Sequence, residues 1–156
     1  MSDGVDFQFV DPQSDDALSS MRSYFDELNE RFTDGFDPGN TLDDDADSFR
    51  APHGRFVLLT VDGGVAGCGG VHLIEPKIAE VKRMWIHPDH RGKGLGAKML
   101  THLERVSELL DADTVRLDTN SVLAEAIAMY TSRGYVDIPA YNDNPYARRW
   151  FERTLT

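Results

Sequence analysis

One cysteine, Cys68, stands in the whole 156-residue sequence. A framework of internal disulfides is therefore excluded, and the expectation is a protein of a reducing compartment, the cytoplasm. Cys68 sits in the stretch GVAGCGGV, where a small buried residue is expected rather than a nucleophile. No apolar run approaches the roughly 20 residues that a membrane-spanning helix needs. The opening MSDGVDFQF carries neither the basic nor the apolar stretch of a secretory leader. Basic residues are scarce: 16 Lys and Arg against 27 Asp and Glu give a net charge of −11. That charge opposes non-specific binding to nucleic acid or anionic membrane, and it favours a cationic partner such as a free amine. The phosphate-binding pattern G-x-x-x-x-G-K-[ST] is missing too.

What is present reads as one domain over residues 1–156, an alternation of strands and helices. Val5 to Val10 alternates as a strand. Ser14 is a candidate N-cap with Asp15 and Asp16 behind it, and Leu18, Met21, Phe25, Leu28 and Phe32 then step at helical spacing. Residues 34–50 break the pattern with six aspartates and reads as a long acidic loop with a helical turn near Leu42 to Phe49. Its aspartates lack the alternation of a calcium loop, so no metal site is expected. Arg55 to Val61 and Val65 to Ile74 form a hairpin across Asp62-Gly63-Gly64. Later come a strand from Thr114 to Asp118 and a helix capped at Thr119, Asn120 or Ser121. Gly134 ends that helix, and strands follow at Tyr135 to Ile138 and Tyr146 to Leu155.

The most informative stretch is AEVKRMWIHPDHRGKGLGAKML, from Ala79 to Leu100. It predicts a strand, a stop at Pro88, a glycine turn and a helix whose apolar face is Leu95, Met99, Leu103, Val106 and Leu110. A helix start has N–H groups without partners and a partial positive charge. Glycines let backbone approach a ligand closely. Lys82, Arg83, Arg91, Lys93 and Lys98 reverse the sign of the charge locally, with Asp89 alone against them. Together these predict a phosphate or pyrophosphate site. The dinucleotide fingerprint matches formally at Gly92, Gly94 and Ala97, with Asp118 at the acidic position. His87 to Arg91 nevertheless separate those glycines from the strand, and the remaining chain is too short for a second nucleotide-binding half.

A third pattern, R-x-x-G-x-G, is supplied by Arg91, Gly94 and Gly96. The run KRMWIHPDHRGKGLG, with AIAMYTSRGY downstream, resembles the GNAT superfamily of N-acetyltransferases. The resemblance implies an α/β fold: a mixed, mostly antiparallel sheet of about seven strands, splayed around acetyl-CoA and flanked by about four helices. It implies pyrophosphate binding by Arg91, Gly92, Lys93, Gly94, Leu95 and Gly96. The pantetheine arm and an oxyanion N–H fall to Met84, Trp85 and Ile86, in a strand where the family places a bulge. Glu80 stands at the family's general-base position, with His72 and His87 as alternatives. Tyr130 stands at the position of the tyrosine near the CoA sulfur, a general acid. Where many members carry a pantetheine-binding asparagine this chain has Leu123, and Asn120 is the nearest substitute. Tyr141, Asn142 and Asn144 are candidates to wall the acceptor pocket. The expected activity is acetyl transfer from acetyl-CoA to a small-molecule or amino-acid-like amine by direct attack. A non-catalytic acyl-CoA sensor of the same fold is the alternative. No nucleic acid or membrane partner is expected, and a homodimer stays open, since members often dimerise.

Overall fold

The computed structural model describes residues 4–155. In chain order these form β1 (Val5–Val10), α1 (Asp15–Arg31), α2 (Thr41–Asp44), β2 (Gly54–Val61), β3 (Gly64–Glu75) and β4 (Ile78–Ile86). There follow α3 (Leu95–Leu109), β5 (Thr114–Thr119), α4 (Ala124–Ser132), β6 (Val136–Ile138) and β7 (Arg149–Thr154). Short 3₁₀ turns occupy Ala46–Phe49 and Pro88–His90. The seven strands make one sheet in the order β1-β2-β3-β4-β5-β7-β6. Every neighbouring pair is antiparallel except β4 and β5. The mixed sheet with four α-helices is the architecture the resemblance implied.

Local chemistry explains the elements. Ser14 caps α1, its hydroxyl accepting from Ala17 N at 3.4 Å. Asp62 and Gly63 both take positive φ, 51° and 85°, as a two-residue hairpin turn of the right twist requires. Along β2, Val57 and Leu59 enter the core under α3, whereas Phe56 and Leu58 enter the core under α1. A strand covered on both faces is apolar throughout, which is why β2 does not alternate.

Two expected boundaries shift. The helix expected to start at Thr119, Asn120 or Ser121 starts at Ala124 instead. Asn120 is the reason: its Oδ1 accepts from Val122 N at 3.0 Å, and its Nδ2 donates to Tyr146 O at 2.7 Å. That side-chain turn holds the chain out of helical geometry for three more residues. The last strand begins at Arg149 rather than Tyr146, because Asn144 Oδ1 captures Tyr146 N at 3.0 Å and keeps the chain in a turn.

Two of the departures from regular pairing shape the cleft. First, β4 and β5 pair only from Ile78 to Glu80 against Thr114 to Arg116. Beyond Glu80 the two strands part, and the sheet opens as a wedge. Second, the register between β3 and β4 slips from Cys68↔Trp85 to Gly70↔Lys82. Arg83 and Met84 thus face the single residue Gly69, a β-bulge with Arg83 at φ 59°. Gly67 lies beside this bulge, and a Cβ there would stand 2.5 Å from Trp85 O. Gly67→Ala is therefore expected to cost about 1–3 kcal/mol of stability, as overpacking against backbone does, measured by urea denaturation.

Candidate active site

The wedge between β4 and β5 is a cleft of about 680 Å³. Its walls are β4 from Val81 to Ile86, β5 from Leu117 onward, α1, α4, and the glycine turn leading into α3. Parting the strands leaves backbone N–H and C=O groups of β4 without sheet partners, and these face an apolar interior. The bulge at Arg83 and Met84 sits within that stretch, so the backbone of Met84 to Ile86 is placed to pair with an extended ligand.

At one end of the cleft, Gly92 and Gly94 take φ 79° and 76°. Gly94 is the N-cap of α3 and offers no side chain to the helix's first N–H groups. Those donors remain for an anion. Arg91 is clamped: its Nε donates to Ile86 O at 2.9 Å and its guanidinium to Glu27 Oε1 at 2.6 Å. Trp85 Nε1 donates to the same Glu27 oxygen at 3.1 Å. Burial works to raise the pKa of Glu27, but hydrogen bonds from Arg91 and Trp85 outweigh it and hold the carboxylate below its ordinary range. Of the expected cofactor residues, Met84, Trp85, Ile86, Arg91, Gly92, Gly94, Leu95, Gly96 and Asn120 line the cleft. Lys93 does not. It is exposed, between two glycines that carry the turn outward. Asn120 is on the wall, but its amide is spent on Val122 and Tyr146, so it offers a ligand little.

Tyr130 lies on the cleft wall from α4 and is 7% exposed. Its ring packs against Tyr135 and Phe151 at 5.9 and 6.1 Å. Burial, helped by the charge of Asp118, raises its pKa well above the ordinary phenol value, so it holds its proton at neutral pH. Among the described residues its hydroxyl has no hydrogen-bond partner.

A second chamber of about 420 Å³ adjoins the cleft through the shared wall residues Asp45, Lys82 and Asn144. Tyr141, Asn142 and Glu80 line it. Glu80 is buried and receives His72 Nε2 at 2.8 Å, the Tyr141 hydroxyl at 2.6 Å and Asn142 Nδ2 at 3.3 Å. Burial pushes its pKa up, but His72, Lys82 and Tyr141 together hold it below the ordinary value. Asn142 also donates to Asp118 at 2.6 Å, and Asn144 does so at 3.2 Å. The loop is thus built by its asparagines and lines the chamber as well. His87, the other alternative base, lies beyond β4 and caps the 3₁₀ turn by accepting from Asp89 N.

Three residues of this region, Lys82, Arg116 and Arg83, have contacts here that sequence reasoning did not foresee, and Cys68 is buried as expected. Lys82 stands 3.6 Å from Asp118 and 4.0 Å from Glu80, and lines both cavities. Alternation from Glu80 could have placed it on the same face. Arg116 packs over the Tyr141 ring at 5.4 Å. Arg83 lies between Phe25 and Phe49, at 5.9 and 5.0 Å, and donates to Asp45 at 3.0 Å. That contact ties the acidic segment to the bulge. Removing it in Arg83→Met is expected to leave the sheet paired but to speed amide exchange across Thr41–Phe49 several-fold, read by hydrogen–deuterium exchange. Cys68 is buried at the bulge, and burial pushes its thiol up to about 12, so it is no nucleophile.

The acetyltransferase (GNAT) family model matches residues 21–135, which include both cavities' β4 wall and the glycine turn. This chain belongs to the GNAT family. Among similar proteins, an uncharacterised N-acetyltransferase of Schizosaccharomyces pombe is 33% identical over 60% of this chain and 59% of its own length. An IAA acetyltransferase of Azospirillum brasilense is 31% identical over 60% of this chain and 61% of its own. The chain thus spans about three fifths of the length of the curated relatives it matches. A GNAT family acetyltransferase from Elizabethkingia anophelis, solved with acetyl-CoA bound, shares the fold across 98% of this chain and 99% of its own, with a TM-score of 0.71 at 12% identity. No helix among the described residues is long and apolar enough to cross a membrane.

Proposed function

We propose that this GNAT chain is an acetyl-CoA-dependent N-acetyltransferase that modifies a small-molecule or amino-acid-like amine by direct attack in a ternary complex. The observation that carries the reading is the wedge itself. One end is a glycine-capped helix start and the middle is an unpaired, bulged β4 edge, so a phosphate-bearing ligand with an extended amide arm fits both. The N–H groups at the start of α3 hold the pyrophosphate, and the Met84 to Ile86 backbone pairs with the pantetheine amides. Acetyl-CoA supplies an acyl carbonyl and a sulfur leaving group. A backbone N–H at the bulge faces the developing negative charge on the carbonyl oxygen. Tyr130, protonated and without a competing partner, donates to the departing sulfur. The acceptor enters through the chamber, whose wall sets Asp45, Glu75 and Glu80 beside Lys82 and Arg116. Its proton leaves toward the Glu80 cluster. The single buried cysteine and the acidic surface suit a cytoplasmic enzyme of metabolite-sized amines rather than of nucleic acid.

The test is a thiol-release assay with acetyl-CoA and a panel of small amines. Amine-dependent release that saturates in both substrates is expected. Tight acetyl-CoA binding with no release to any amine would instead mark a sensor.

A further inference from the structure

Glu80 has few lone pairs to spare. A carboxylate offers about four acceptor positions. His72 Nε2 takes Oε1, while the Tyr141 hydroxyl and Asn142 Nδ2 share Oε2. The Lys82 ammonium stands 4.0 Å from the same oxygen, and the Glu80 side chain is 5% exposed. An ionised carboxylate only accepts, so His72 Nε2 must carry the hydrogen and donate it. In the neutral ring the other nitrogen, Nδ1, is then a bare lone pair. It has no hydrogen-bond partner among the described residues, and it is not one of the buried atoms left without one. His72 is part of the chamber wall, and Nδ1 is not sealed away from it as a buried, partnerless atom would be. Phe49 meets the ring edge-on at 5.3 Å and fixes its tilt.

We propose that His72, through Nδ1, accepts the proton of the acceptor ammonium, and that Glu80 is the positioning residue that sets its tautomer. The proposal rests on the acetyltransferase reading above. A base oriented by a buried carboxylate is the logic of the Ser-His-Asp arrangement, applied here to an amine. In the step, one ammonium N–H bond breaks and its electron pair stays on nitrogen. The proton passes to Nδ1, and the Glu80 carboxylate faces the imidazolium that results. Glu80 and Met84 are four residues apart on β4 at about 3.3 Å each, so the proton crosses the chamber on water. The freed pair then forms the N–C bond as the C–S bond breaks. Tyr130 gives its proton to sulfur and regains one from the attacking nitrogen, and the imidazolium later releases its proton to solvent. Besides Glu80, the charged and titratable groups around the chamber are Asp45 from the acidic segment, Glu75 from β3, Lys82 from β4, Arg116 from β5 and Tyr141.

Long-range ¹H–¹⁵N spectra of the labelled protein report the tautomer without any substrate, and His72→Gln identifies the signals. At about pH 8 we expect a neutral ring with hydrogen on Nε2. Glu80→Gln should mix the two tautomers. Hydrogen on Nδ1, or an imidazolium persisting at that pH, would overturn the proposal. Kinetics follow with acetyl-CoA and tyramine, L-lysine or spermidine as probe amines. His72→Gln should lower kcat about 10²-fold near neutral pH while acetyl-CoA affinity is kept. The deficit should shrink as pH nears the amine's own pKa of about 10, where the base is no longer needed. Glu80→Gln should lower kcat less than His72→Gln, and imidazole should restore part of the rate to His72→Ala. An unchanged rate in His72→Gln, or a deficit that ignores pH, would refute the role of His72. Failure of the wild-type chain to acetylate any probe would count against the acetyltransferase reading instead, with the spectra still deciding the tautomer.

Discussion

Glu80→Ala is expected to cost the fold about 3–5 kcal/mol, the range seen when one partner of a buried charged cluster is removed. The carboxylate is the common acceptor for His72, Tyr141 and Asn142. Alanine would leave each of these donors in a chamber shaped around an oxygen that is gone, and Lys82 would lose one of its two acidic neighbours. Urea denaturation reads the loss. A change under 1 kcal/mol would mean that water replaces the carboxylate without penalty. Acid should weaken the same cluster. Burial would raise the Glu80 pKa, but its donors outweigh burial and hold it below its ordinary value of 4.5. A carboxylate with a depressed folded-state pKa contributes its full stability above the unfolded value. That contribution is lost as pH falls through the folded pKa. Wild-type Tm should therefore drop below about pH 4.5, and Glu80→Gln should drop less over the same window.

Tyr130→Phe is expected to lower kcat about 10²-fold while stability and acetyl-CoA affinity stay near wild type. The separation is sharp because the hydroxyl has no protein partner among the described residues. Its removal strands no donor, and the ring keeps its contacts with Tyr135 and Phe151. Steady-state kinetics beside a thermal melt would check both halves. A fall in Tm of several degrees would show that the hydroxyl is structural, and an unchanged kcat would show that sulfur leaves without an acid.

The parts of this molecule that were legible in the sequence are the contiguous ones. Ser14 precedes its helix directly, Asp62-Gly63 carries its own turn, and Arg91 to Gly96 spell the glycine turn into α3 within six residues. The chamber was not legible in this way. The partners of Glu80 come from 8, 61 and 62 residues away, brought together by strand register and by the loop before β7. Asp118 drew notice only as an acid at a fixed distance from the glycines, yet it closes the loop by accepting from Asn142 and Asn144. The delayed start of α4 was hidden for a similar reason. A cap signal at Asn120 was present, but the backbone it captured belonged to its own turn and to Tyr146. Glu80 shows the limit of residue type most plainly. The sequence marked it as a base, and the fold adds what residue type alone does not carry, three donors on that one carboxylate.

The central claim is that the wedge between β4 and β5 holds acetyl-CoA. Calorimetric titration of the chain with acetyl-CoA, beside NADH and with Tm followed at each concentration, tests it most directly. The account predicts one saturable site for acetyl-CoA, a Tm that climbs with the logarithm of its concentration, and no response to NADH. No heat and no shift with acetyl-CoA, or a response to NADH alone, would contradict it.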